Sequence, residues 1–277
     1  MKQALSLQEM ITLNEVGTSR IFSFQITELV GIGSSCIVYT AVYNDAEGNS
    51  FPVRLKECYP AELEITRESD NSLSVPEEQR VRLDALLEHF TQGYQKQMML
   101  RQVPESMNSI SNIQGIYEGN NTKYIAMSCQ NGMCLSKVND LTLYDIFRVV
   151  KAVVQQIDNL HRQGYLYLDL KPENIFLYPE TPELVMLFDF DSAVRLEELL
   201  EHPEWLSFTE QWAAPEVLRE SMRKLGWHLI FTPLGHCCCI CCSIGIRNCQ
   251  TEENEPHGKR RCRVVFWQRK VRNAAGW

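Results

Sequence analysis

The stretch Tyr167-Leu168-Asp169-Leu170-Lys171-Pro172-Glu173-Asn174, followed after fourteen intervening residues by Asp189-Phe190-Asp191, decides the reading of this chain. Moving a phosphoryl group between oxygens needs a carboxylate that orients the accepting hydroxyl, a cation near the moving group, and hard oxygen ligands that hold magnesium against a triphosphate. All three residue types stand here. Asp169 suits the first role, as proton acceptor from a hydroxyl; Lys171 suits the second, at the γ-phosphate; Asn174 and Asp189 supply the oxygens. The bland alternative, a polar loop and then a strand ending on a turn aspartate, requires several independent coincidences.

Just upstream, Ile146, Val150, Val153, Ile157 and Leu160 recur at alternating steps of four and three, which predicts a helix over Leu141–Arg162 with one buried stripe, ended by Gly164. Two short apolar segments follow, at 165–170 and 184–188, each running into an aspartate. Further upstream, 21–59 alternates short apolar and polar runs broken by glycines and by Asn44-Asp45-Ala46-Glu47-Gly48, which predicts three antiparallel strands. Residues 60–75 read as a polar connection. The span 77–101 reads as a helix on Val81, Leu83, Leu86, Leu87, Phe90 and Tyr94, and 113–117 and 123–127 read as strands. No internal repeat is visible. The first strand enters Gly31-Ile32-Gly33-Ser34-Ser35-Cys36-Ile37-Val38, where glycines let a tight turn bring backbone N–H groups close to phosphates. A hairpin bend needs glycine too. A strand, not a helix, follows Cys36, which argues against a dinucleotide-binding turn. In Val53-Arg54-Leu55-Lys56 the alternation turns Lys56 toward the glycine turn.

On these markers the chain resembles a eukaryotic-type serine/threonine protein kinase domain over residues 24–220: a glycine loop from Gly31 to Val38, Lys56 ending VRLK, DLKPEN from Asp169 to Asn174, DFD at Asp189, and Ala214-Pro215-Glu216. The resemblance implies an α+β, two-lobed fold with an incomplete C-lobe. Its parts would be an N-terminal extension (1–23), the N-lobe and hinge (24–130), a partial C-lobe (131–225) and a poorly ordered tail (226–277). It further implies ATP and Mg2+ as cofactors and a protein Ser/Thr hydroxyl as acceptor. By resemblance Gly31, Gly33 and Val38 cover the phosphates, and Lys56 binds the α- and β-phosphates. Met127 is the gatekeeper, and Ser128, Cys129 and Gln130 form the adenine hinge. Lys171 two after Asp169, with Thr209 five before Ala214, resembles the Ser/Thr branch. A small-molecule kinase of similar fold fits DLKPEN and Ala214-Pro215-Glu216 less well.

Four departures stand out. Cys36 replaces the third loop glycine. The family's HRD is Tyr167-Leu168-Asp169, without the arginine that pairs with an activation-loop phosphate. Asp191 replaces the DFG glycine. No glutamate lies between Glu88 and Glu105 to pair with Lys56, so Gln97 is the nearest candidate, able to hydrogen-bond the ammonium without supplying a countercharge. Cys36, Gln97 and Asp191 favour an alternative reading, a pseudokinase or nucleotide-binding interaction module, which the intact Lys56, Asp169, Asn174 and Asp189 oppose.

The family's long helix after Ala214-Pro215-Glu216 begins with an aspartate, yet none occurs after Asp191. Codons for HTDIYSIGALLLYLLFD that lose one base just after the histidine read HLIFTPLGHC, the sequence from His228 to Cys237, and turn leucine TTG codons into TGT cysteine codons. The expectation is a frameshift near His228 that leaves the C-lobe truncated. The lost helix would leave the underside of 141–162 exposed.

Composition bounds the rest. With 277 residues, 44% hydrophobic and 22% charged, the chain has the make-up of a globular protein. Its net charge of −8 argues against nucleic acid as partner, although the portion from Arg247 on holds eight basic residues against three acidic ones. No basic stretch precedes a long apolar run at the start, so a cytoplasmic chain without a membrane span is expected. Eleven cysteines, six of them crowded between Cys237 and Cys249, make neither a disulfide framework nor a zinc site.

Overall fold

The computed structural model describes residues 2–44, 48–103, 110–129, 132–139, 141–178, 180–195, 197–198, 209, 212, 244–249 and 262–266. The chain divides into two compact units, residues 1–101 with 111–130, and residues 102–110 with 131–277.

The first unit is built on β1 (Met10–Glu15), β2 (Ile21–Ile32), β3 (Cys36–Asn44), β4 (Ser50–Cys58), a short ladder of β5 (Thr66–Arg67) and β6 (Leu73–Ser74), then α1 (Arg80–Arg101), β7 (Ile113–Gly119) and β8 (Thr122–Ser128). Strands β1, β2, β3, β4, β8 and β7 pair antiparallel in that order, and β7 returns to β1 to close a barrel. The expected strands are all present. The segment 1–23, set apart as an extension by sequence, instead supplies β1, which pairs with β2 through Met10↔Gln25 to Asn14↔Ile21 and with β7 through Asn14↔Glu118. Gly119 permits that seam: a Cβ there would lie 2.6 Å from Leu13 Cδ2 and 3.4 Å from Thr12 O.

Side chains alternate across a strand, so one face of each strand fills the barrel. Leu13, Phe24, Ile26, Ile37, Tyr39, Ala41, Val53, Leu55 and Tyr124 are fully buried there. Each large aliphatic or aromatic side chain so buried is worth about 1.5–3 kcal/mol. The alternate residues Cys36, Val38, Lys56 and Cys58 take the other face. Among the interior groups is a carboxylate: Glu57 accepts from Tyr39 Oη (2.9 Å), Tyr124 Oη (2.7 Å) and Arg67 Nη2 (2.7 Å). Tyr39 Oη in turn accepts from Leu5 N, and Arg67 Nε donates to Gln3 O, tying the first residues to the barrel.

Helix α1 follows a 3-10 turn at Glu77–Gln79 and buries Leu83, Phe90, Tyr94, Gln97 and Leu100; Val81, included in the apolar pattern, is exposed.

In the second unit β9 (Met133–Cys134) precedes α2 (Leu143–Arg162), β10 (Tyr165–Tyr167), β11 (Ile175–Tyr178), β12 (Thr181–Leu187) and β13 (Ala193–Arg195). Helix α2 matches the sequence pattern closely. Of the expected stripe Ile146, Val153, Ile157 and Leu160 are buried, but Val149 takes the buried place expected for Val150, which is half-buried; Thr142 and Asp145 form a reciprocal capping box at the start. Gly164 takes φ +80°, which an L side chain rarely adopts, and donates its N–H to His161 O. On α2 Leu143, Tyr144 and Phe147 remain exposed. Strand β11, for which the sequence reading has no counterpart, pairs with both β12 and β9, and β10 pairs with β13. Residues 244–249 and 262–266, in the tail expected to be poorly ordered, form a two-stranded antiparallel ladder, β14 and β15. Ala214-Pro215-Glu216 and Cys237 to Cys242 lie outside the described residues. Among the described residues no helix is long and apolar enough to cross a membrane.

Candidate functional site

In the second unit the segment after β10 turns sharply through a 3-10 turn at Pro172–Asn174, where proline's fixed φ suits the first helical position. The turn folds the Lys171 and Asn174 side chains back on one carboxylate. Lys171 Nζ lies 2.5 Å from Asp169 Oδ2 and donates to Thr209 Oγ1 at 2.9 Å. Thr209 N donates to Asp169 Oδ1 at 2.9 Å. Asn174 Nδ2 donates to Asp169 O (3.0 Å) and Oδ2 (3.2 Å). Both oxygens of Asp169 are thus oriented by fixed donors, and an ammonium bridges the carboxylate to a threonine hydroxyl 40 residues on. The expected residues Asp169, Lys171, Asn174 and Thr209 are together.

Asp189 follows through the backbone. Phe188 N donates to Asn174 O at 3.0 Å, and Tyr167 Oη donates to Phe188 O. Asp189 itself has φ 62° and ψ 68°, the left-handed region, which costs a non-glycine residue about 1 kcal/mol or more. The clamped Phe188 peptide before it and the fully buried Phe190 after it, 5.3 Å from the Tyr167 ring, hold the strain. Tyr167 is therefore a site residue that the sequence reading treats only as a departure. Leu168, where the family has arginine, is buried. The side chain of Asp191 is outside the described set.

In the first unit Gly31 pairs with Val38 and Ile32 with Ile37 across the β2–β3 hairpin, and Val38 lies opposite Lys56 on β4. Neither Gly31 nor Gly33 has positive φ. A Cβ on Gly31 would meet nothing within 4 Å, and one on Gly33 would meet only Cys36 at 3.7–3.8 Å. The protein's own packing does not demand glycine at these places, so the loop leaves room for a group that approaches its backbone closely, which fits phosphates. The loop tip is tied down: Ser34 O accepts from Ala61 N and from Lys2 Nζ, both at 2.8 Å, and Ser35 O accepts from Tyr59 N at 2.9 Å.

Lys56 is buried, its Nζ 5.1 Å from the Tyr94 ring centroid and 5.8 Å from that of Phe90. The amide expected to meet it goes elsewhere. Gln97 Nε2 donates to Ser111 O (2.9 Å) and Oγ (2.6 Å), and Gln97 Oε1 is buried with no hydrogen-bond partner among the described residues. Phe90, Tyr94 and Gln97 share one face of α1, so the helical phase that buries Gln97 sets the two rings against the ammonium. The i, i+4 aromatic pair was legible; Ser111 was not. Met127 ends buried on β8, Ser128 N donates to Asn112 O at 3.0 Å, and burial pushes the Cys129 thiol up. Gln130 lies outside the described residues.

Hard oxygen donors suit magnesium. Asn174 spends its amide nitrogen on Asp169, which leaves Oδ1, and Asp189 brings a carboxylate one residue beyond the backbone bond to Asn174. The donor set fits such an ion.

The family model described as "Protein kinase domain" matches residues 87–227, just over half of the chain. Smooth muscle myosin light chain kinase of Gallus gallus is 31% identical over 101 residues, 36% of this chain and 5% of that protein. Calcium-dependent protein kinase 27 of Arabidopsis thaliana is 28% identical over 127 residues, 42% and 26% of the two chains. Serine/threonine-protein kinase AtPK1/AtPK6 of the same plant is 40% identical over 76 residues, 27% and 16%. The alignments thus span at most about a quarter of these relatives' length. Among solved structures, the one titled "PpkA-294 apo form" superposes with a TM-score of 0.54 at 22% identity over 79% of this chain and 73% of that one, a likeness of fold.

Proposed function

Because the chain belongs to the protein kinase domain family, we propose that it transfers the γ-phosphoryl group of Mg-ATP to a serine or threonine hydroxyl of a protein. The observation that carries this is the cluster on Asp169, a carboxylate whose two oxygens are oriented by Thr209 N, Asn174 and Lys171. A hydroxyl arriving at Asp169 finds a fixed proton acceptor. Lys171 holds positive charge beside it, where the moving phosphoryl group needs neutralising. Asn174 and Asp189 would hold the cation, and magnesium, when bound, offsets the charge of the triphosphate. In the first unit Gly31, Gly33 and Val38 cover the phosphates, Lys56 binds them, and Met127, Ser128, Cys129 and Gln130 line the adenine side. The family-model match stops at Trp227, one residue before His228, which supports a lost base there; on that reading full activity belongs to the frame-restored chain.

The test is a thermal melt with and without millimolar Mg-ATP, then phosphotransfer from labelled ATP to a Ser/Thr peptide mixture by the frame-restored chain. Ligand at a hundredfold excess over Kd adds about 2.7 kcal/mol to the folded state. Asp169→Ala is expected to keep the melting shift and to lose phosphotransfer by a factor of about 10² to 10⁴. Equal transfer by wild type and Asp169→Ala overturns the reading.

One observation favours the second reading, a nucleotide-binding module without transfer: Lys56 faces aromatic rings while Gln97 is committed to Ser111. A melting shift with no transfer from the frame-restored chain would select it.

A further inference from the structure

Cys36 and Cys58 are directly opposite each other on the β3–β4 ladder. The neighbouring pair, Ser35 and Tyr59, is joined by Tyr59 N donating to Ser35 O at 2.9 Å. Hydrogen-bonded and non-hydrogen-bonded pairs alternate along an antiparallel ladder, so Cys36 and Cys58 form a non-hydrogen-bonded pair. There the Cα atoms approach to about 4.5 Å and both side chains leave the same face. Disulfides take Cα separations of about 4.4–6.8 Å. Both residues are thiols here, 8% and 3% exposed.

The next pair along that face is Val38 and Lys56. Cys36 Sγ comes within 3.8 Å of where a Gly33 Cβ would stand, so the sulfur lies against the glycine loop. A cation also stands beside the pair. Lys2 Nζ donates to Ser34 O at 2.8 Å and to Tyr59 O, carbonyls that flank the two cysteines in sequence. Burial lowers the Lys2 pKa, while Cys36, Cys58 and Glu57 hold it up. A neighbouring ammonium is a setting in which thiolates form and react.

We propose that Cys36 and Cys58 are an oxidisable dithiol that a peroxide converts to a disulfide, stapling the root of the glycine loop to the end of the strand that carries Lys56. The Cys36 thiolate, the more open of the two, attacks one peroxide oxygen. The O–O bond breaks, a sulfenic acid forms, and hydroxide leaves to take a proton as water. The Cys58 thiolate then attacks the Cys36 sulfur, the S–S bond forms and a second hydroxide leaves, again becoming water. Two thiols and one hydrogen peroxide give one disulfide and two waters; the sulfurs lose two electrons and the peroxide gains them. A resolving thiol this close intercepts the sulfenic acid before further oxidation. The effect on nucleotide rests on the kinase reading above; the disulfide does not.

The test treats the whole chain with hydrogen peroxide, blocks remaining thiols with iodoacetamide and digests with trypsin without reductant. The expected product is peptide 21–54 joined to peptide 57–67 with the loss of two hydrogens, reversed by dithiothreitol and absent from both Cys36→Ser and Cys58→Ser. Cys129, whose thiol burial pushes up, and Cys134 serve as internal references. Recovery of Cys36 as a sulfinic acid, its pairing with Cys129, or full alkylation of Cys36 and Cys58 while Cys134 is oxidised overturns the proposal. The Mg-ATP melting shift is read on reduced and oxidised chain, and at least half of it is expected to be lost on oxidation. A crosslink without any shift in the reduced chain would sink the nucleotide reading alone; a shift without a crosslink would sink the dithiol alone.

Discussion

Glu57 follows Lys56 in sequence, yet the two face opposite sides of β4 and meet different chemistry. A fully buried carboxylate persists only when compensated, and here Arg67 and the phenols of Tyr39 and Tyr124 compensate it. The same burial raises the pKa of both phenols, with the charge of Glu57 next in importance. Tyr117, in the ring cluster with Phe22 and Phe24, is pushed up to about 12, chiefly by burial and then by Glu15. An unfolded phenol titrates near pH 10. Above that pH the unfolded chain has released protons that the folded chain still holds, so stability falls as pH rises. Each phenol contributes about 1.4 kcal/mol per pH unit, and for Tyr117 the loss ends near pH 12. Denaturant midpoints are expected to fall steeply beyond about pH 10. Tyr117→Phe should shallow that fall; an unchanged slope would show that the phenol is not protected.

At the scale of elements, α2 shows what patterning makes legible. Its stripe and Gly164 are local signals, and the helix lies within two residues of the expected span. Thr142→Ala removes the cap that accepts from Asp145 N and is expected to cost about 1 kcal/mol, readable as a lower denaturant midpoint with unchanged slope. Elements whose reason is remote were not legible. The six residues of β1 carry only a brief alternation, and they become a strand because β2 and β7 both accept them. Strand β11 is hidden because it leaves a chemistry-bearing turn directly, and its pairing partners come from either side in sequence. For the site, residue types close in sequence, Asp169 to Asn174, were readable as a cluster. The commitment of Gln97 to Ser111 and the hydroxyl of Tyr167 on Phe188 O depend on distant backbone that no spacing announces.

For the whole molecule, likeness to the family runs to Trp227 and stops. A base lost after the codon of His228 would account for that point and for the cysteine run together. Reading the coding DNA there is expected to show that inserting one base opens a long frame containing DIYSIGALLLYLLFD. If no single insertion does so, the explanation is dead. The exposed Leu143, Tyr144 and Phe147 on α2 form an apolar face of the kind that promotes association when uncovered.

The barrel seam also sets a timetable. Asn14 pairs with Glu118, about 100 residues later in the chain, and synthesis proceeds at about 5–20 residues per second. On the ribosome β1 therefore waits roughly 5–20 s for its second partner, longer than the time in which small domains usually fold. During that interval one edge of β1 offers unpaired N–H and C=O groups. A nascent chain halted before β7 emerges is the form of this protein that a trigger-type chaperone, or a neighbouring copy, would meet first.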